Sequence, residues 1–184
     1  MPEKNPPAPF SNSYWVLPRL LLAGGYPGGM AAKNTERKLD ALLEAGLRTF
    51  INLIDEDETL LSEAAVPSYH ALLRQLARRH GAEVTYLRIP IADRTVPSFS
   101  VMRQILDTID RSLREGDPVF VHCWAGLGRT GTVVGCFLKR HGISNAIEVI
   151  PKIRELRQHT DFAGESSPHT GHQVKLVVNW RLHS

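Results

Sequence analysis

Cysteine is almost missing from this 184-residue chain, which has two, Cys123 and Cys136. Two thiols in a chain of this length make no disulfide framework, so a small stapled secreted fold is excluded. Also missing are an apolar run long enough to span a bilayer, the charged head and apolar core of a signal peptide, an internal repeat, and any block of Lys or Arg. Lys and Arg outnumber Asp and Glu only by 22 to 19. That balance gives mild attraction to anions, without the basic face interleaved with aromatics that nucleic-acid binding needs. His159, His169 and His172 match no metal-ligand spacing. The expectation is a protein with no cofactor, no metal, no nucleic-acid partner and no membrane association. A reducing, cytoplasmic compartment would keep a cysteine free. Oligomeric state stays open.

What is present is ample apolar content: 42% of the residues are hydrophobic, enough for one buried core without staples. Residues 1–13 read as a proline-rich extended arm, and 14–184 as one domain. LLAG (21–24), RTFINLI (48–54), EVTYLRIPI (83–91) and PVFVHC (118–123) read as strands, the last a continuous apolar run of the kind buried on both faces. Between them, a helix capped by Asn34 buries Leu39, Leu42 and Leu43 and stops at Gly46. A second places Tyr69, Leu72, Leu73, Leu76 and Ala77 on one face, and a third runs from Ser98 or Ser100 to Gly116. TVVGCFLKRHG is apolar all round and hence central, with Cys136 as core packing. Ser144 is expected to cap a further helix, kinked near Pro151, and a last helix runs through VKLVVNW. The acidic DEDE (55–58) reads as a solvated loop that could disfavour heavily phosphorylated substrates if it borders a pocket. Strands alternating with helices predict a single α/β domain with a central, mainly parallel sheet flanked by helices. Ligands bind outside the carboxyl ends of such strands, where the VHC and IPIAD segments end.

VHCWAGLGRTGT (121–132) follows the last strand and opens the central helix. Its glycines spell Gly126-x-Gly128-x-x-Gly131, the spacing of a dinucleotide turn. That motif also needs an acidic residue ending a strand about 20 positions on; here only Glu148 offers itself, inside a helical pattern, and Cys123 and Arg129 stay unexplained. A thiol chemistry uses every residue. Amides of a tight loop at a helix start form a concavity for a tetrahedral oxyanion, and small residues keep it open. Arg129 offers two parallel N–H groups to phosphate oxygens. The same field favours a Cys123 thiolate, with His122 and Thr130 placed to support it by hydrogen bonds.

His122-Cys123-Trp124-Ala125-Gly126-Leu127-Gly128-Arg129-Thr130-Gly131 resembles the His-Cys-x₅-Arg-Ser/Thr-Gly signature of the cysteine-based protein tyrosine phosphatases, in its filling the dual-specificity branch. The resemblance implies that fold, a phosphocysteine mechanism, a phosphorylated protein or peptide substrate, and phosphate binding by residues 124–129. IPIADRTVPS resembles the general-acid loop of that branch, which assigns Asp93 as the acid and, once ionised, as the base for the hydrolytic water. SSPHTGHQ (166–173) resembles the glutamine loop: Gln173 is a candidate for positioning that water, His169 stands where the first glutamine is expected, and a plain helix cap at Ser166 or Ser167 fits as well. Trp124 reads as a rim contact or as packing. The alternatives are a phosphoinositide or inositol-phosphate phosphatase, disfavoured because Trp124 and Leu127 replace the lysines of the lipid-phosphatase relatives, and a catalytically dead phosphate-binding module.

Overall fold

A computed structural model describes residues 6–29, 32–58 and 68–181; the first five residues of the expected arm lie outside that range. Strands β1 (Ser13–Leu17), β2 (Leu21–Gly24), β3 (Thr49–Asn52), β4 (Thr85–Arg88) and β5 (Val119–His122) form one sheet in the order β1-β2-β5-β3-β4. Only β1 runs antiparallel to its neighbour; the remaining pairs are parallel. β5 is the middle strand, and His122 at its end stands level with Gly24 of β2 and Asn52 of β3.

The alternation along β5 accounts for its unbroken apolar run. Val119 and Val121 join the core on one side, while Phe120 joins the core on the other. The Phe120 side is covered by α1 (Ala32–Glu44) and α2 (His70–Arg79), which contribute Leu39, Leu42, Leu43, Leu73 and Leu76. The other side is covered by α3 (Phe99–Glu115), α4 (Gly128–Arg140), α5 (Val149–Leu156) and α6 (Gly171–Asn179). There Met102, Ile105, Ile153 and Val177 surround α4, in which residues 129–138 are all buried. Cys136 is among them, as its apolar setting predicts; burial pushes its thiol well above the ordinary range. A methyl group added at Gly135 would lie 2.5 Å from Val177, so the missing side chain lets α6 approach α4. No helix of the described residues is long and apolar enough to cross a membrane.

Local expectations fail where polar side chains have several uses. Asn34 lies inside α1, which starts at Ala32, and its Oδ1 accepts from Arg37. Ser144 caps nothing: its hydroxyl is buried without a partner among the described residues, and Asn145 Oδ1 instead accepts the amides of Ile147 and Glu148. Pro151 produces no mid-helix kink because α5 begins at Val149, which puts it in the first turn where its missing N–H costs nothing. At α3, Ser98 Oγ accepts from Val101 N and Gly116 closes the helix at φ 84°, as the capping pattern predicts. The edge strand β1 has no turn signature ahead of it in the proline-rich stretch. Phe10 reaches across to Phe120, and Trp15 Nε1 donates to Pro7 O, so residues 7–10 lie against the body.

Candidate active site

The loop joining β5 to α4 is held from outside by its carbonyl groups. Tyr26 N donates to Trp124 O (2.9 Å), Asn12 Nδ2 to Ala125 O (3.1 Å), Ser167 Oγ to Leu127 O (2.8 Å) and Thr132 Oγ1 to Gly128 O (2.7 Å). Among the described residues no acceptor takes the backbone N–H groups of residues 124–130. Carbonyls tied outward and amides left unpaired make a nest for an anion at a helix start. Gly126 sits at φ 74°, and a Cβ there would lie 2.6 Å from the carbonyl carbon of Gly24. Both the backbone angle and the close approach to β2 require glycine at this position.

The concavity above the loop is a cavity of about 270 Å³ whose lining includes Cys123, Trp124, Leu127, Arg129, Asp93 and Glu58. Cys123 is 3% exposed and carries a free thiol. Arg129, brought over it by the first turn of α4, is 2% exposed. Its Nη1 donates to Ile91 O at 3.2 Å, and its Nη2 lies 3.2 Å from Asp93 Oδ1. Glu58 grips the guanidinium through two bonds, 2.5 and 2.9 Å. Burial alone would lower the pKa of Arg129, but the hydrogen bonds and charge of Glu58, with Cys123 and Asp93 beside it, raise it instead. Glu58 closes the DEDE stretch expected to be a solvated loop; Asp55, Glu56 and Asp57 are exposed as expected, and Glu58 is not. Nothing in the sequence distinguishes it from its three neighbours, because only the fold brings it to Arg129.

His122 and Thr130 do not act on the sulfur as expected. The His122 ring is fully buried and turned away: Nε2 lies 2.7 Å from Tyr69 Oη and Nδ1 3.2 Å from Cys123 O. Burial, reinforced by the positive charges of Arg129 and Arg88, pushes its pKa down to about 3, so the ring is neutral. Burial also keeps the Tyr69 phenol protonated. The phenol therefore donates to Nε2, and Nδ1–H donates to the Cys123 carbonyl, the one tautomer that satisfies both bonds. The Thr130 hydroxyl donates to Gly24 O at 3.3 Å. The charge field at Cys123 is thus built from Arg129 and the loop amides. Tyr69 was legible only as the first apolar residue of a helical face, and it stands at the N-cap of α2.

Gln173 does not line the cavity, and both ends of its amide are bound to backbone. Fully buried, it accepts the amides of His169 and Thr170 at Oε1 (3.1 Å each), and its Nε2 donates to Thr95 O at 2.9 Å. With Thr170 it forms a capping box at the start of α6, so the cap is Thr170 rather than Ser166 or Ser167. His169 does line the cavity. Trp124 is 40% exposed at the rim, its ring stacked on Tyr26 at 5.3 Å.

Comparison with known proteins agrees with this geometry. A family model described as "Polymorphic toxin system, DSP-PTPase phosphatase" matches residues 24–143. The human dual specificity protein phosphatase CDC14C is 38% identical over 66 residues, which are 36% of this chain and 14% of that protein. The chain thus matches only a small part of the length of such relatives. Among solved structures, kinase associated phosphatase with its catalytic-site cysteine replaced by serine superposes with a TM-score of 0.68 at 21% identity, covering 85% of this chain and 83% of the other. PTPMT1 in complex with PI(5)P superposes with a TM-score of 0.64 at 21% identity, covering 91% and 93%. At such identities these two structures show a shared fold.

Proposed function

The chain belongs to the DSP-PTPase phosphatase family of polymorphic toxin systems, and from that premise we propose that it hydrolyses phosphate monoesters on proteins through a phosphocysteine. The observation that carries this reading is the nest of unpaired amides between Cys123 and Arg129. A phosphate seated there presents phosphorus to the sulfur while its equatorial oxygens take the N–H groups. In the first step the Cys123 thiolate forms the S–P bond and the ester P–O bond breaks. Asp93, released from Arg129 as the phosphate takes over the guanidinium, takes up a proton from solvent and gives it to the departing oxygen. In the second step the Asp93 carboxylate takes a proton from water, the water oxygen bonds to phosphorus, the S–P bond breaks, and phosphate and thiolate are regenerated.

Protein substrates are favoured over inositol phosphates by the content of the cavity. Arg129 is the only cation within the Cys123–Arg129 loop, and two carboxylates already share the lining. A ring bearing many phosphates would meet Glu58 and Asp93, with Arg94 as the one further arginine of the lining to compensate them. The test is turnover of an aryl phosphate, under reducing conditions, by the parent chain and by Cys123→Ser and Asp93→Asn. The serine variant should lose turnover and still bind vanadate, and Asp93→Asn should slow poor leaving groups most. Full activity in Cys123→Ser would end the proposal.

A further inference from the structure

The polar turn after β4 contains an arginine in a backbone conformation that arginine seldom adopts. Thr95 N donates to Ala92 O at 3.2 Å, closing a turn in which Arg94 is the third residue with φ 58°. Glycine or asparagine takes that conformation at little cost, whereas a long side chain is held there against steric resistance. Such outliers persist at functional sites when the side chain has a task there. The task is visible in the surroundings. Arg94 is exposed and lines the cavity that holds Cys123. Both carboxylates of that lining, Glu58 and Asp93, are turned to Arg129. Among the described residues Arg94 has neither a hydrogen bond nor an ion pair, so its guanidinium is an uncompensated positive charge at the mouth of the site.

Resting on the phosphatase reading above, we infer that Arg94 is a specificity-determining residue that recognises an acidic side chain flanking the phosphorylated residue of a peptide substrate. The cavity, about 270 Å³, has room for a phosphorylated side chain. A second negative group must then lie outside it, on the rim, which is where Arg94 is exposed and where Trp124, backed by the buried Tyr26, offers an aromatic face to the intervening backbone. Because Arg94 directly follows Asp93, an acidic residue held there also bears on the placement of the acid.

The test compares matched phosphotyrosyl peptides carrying Glu or Lys on both sides of the phosphoresidue, together with inositol hexakisphosphate. The parent chain should favour the acidic over the basic peptide in kcat/KM by about two- to fivefold, the range of a partly exposed ion pair, and the preference should shrink as salt is raised. Arg94→Gly, whose backbone accepts the turn without strain, should bring the ratio to about one, and Arg94→Glu should invert it. An unchanged ratio in both variants, no preference in the parent, or faster turnover of the polyphosphate than of either peptide would each overturn the inference. The same ratio measured as peptide affinity on Cys123→Ser separates the two proposals: binding preference without any turnover by the parent chain refutes hydrolysis and leaves the role of Arg94 standing.

Discussion

Replacing Gln173 by Leu separates two roles for this side chain. Leucine has nearly the same volume but leaves the amides of His169 and Thr170 and the carbonyl of Thr95 without their partner. Each stranded group costs about 1–3 kcal/mol where water is excluded. Residues 95 and 169 are exposed and 170 is half-buried, so solvent recovers part of that, and about 1 kcal/mol per group is the reasonable figure. The sum is about 3 kcal/mol, or a fall in Tm of about 6–12 °C for a domain of this size. Kinetics decide the rest. Thr95 is two residues beyond Asp93, so loosening it should misplace the acid and slow formation of the phosphocysteine. A side chain that positioned the hydrolytic water would slow its breakdown instead. Thermal unfolding and rapid-quench turnover of para-nitrophenyl phosphate measure both. A Tm within about 2 °C of the parent, together with a burst of nitrophenol that the parent lacks, would show that Gln173 acts on the water and that the brace described above is wrong.

Two more perturbations follow from the buried charges. Glu58→Gln keeps the shape of the clamp on Arg129 but removes its charge, and should lower the unfolding free energy in urea by about 1–2 kcal/mol, less than for a fully buried pair because Glu58 is partly exposed. The same change at exposed Glu56 should cost less than about 0.5 kcal/mol, and equal effects at the two positions would refute the clamp. His122 is neutral when folded and binds a proton below its ordinary value of 6.5 when unfolded. Its contribution to stability is complete above about pH 6.5 and is lost as the pH falls toward 3, at up to about 1.4 kcal/mol per pH unit. Urea unfolding across that window should show a steeper acid loss for the parent than for His122→Asn, and parallel curves would contradict a buried neutral ring.

The fold was largely legible because its strongest signals are periodic. The helical faces of α1 to α3, the buried β5 and the all-round apolar α4 follow from patterns that survive any detail of packing. β1 escaped because an edge strand beside prolines carries little alternation. Within the site, Cys123 and Arg129 were legible as residue types at a fixed spacing and Asp93 through the resemblance of its loop to a general-acid loop, and all three line one cavity. The side chains misjudged were those with a choice of partner. His122 and Thr130 lie next to the loop in sequence, but the bonds they make, to Tyr69, to the Cys123 carbonyl and to Gly24 O, depend on which elements the sheet brings alongside. Glu58 and the Nε2 of Gln173 are the same case at longer range: their partners, Arg129 and Thr95 O, are 71 and 78 positions away.

The ring stacked on Tyr26 is also a built-in optical reporter. Of the three tryptophans, Trp15 and Trp180 are 4% and 3% exposed, against 40% for Trp124. A dissolved quencher such as iodide therefore dims chiefly the indole beside Cys123, and an oxyanion or peptide that covers the rim shields it. Occupancy of the site can in this way be followed by emission from the unlabelled chain, whether or not any bond is cleaved.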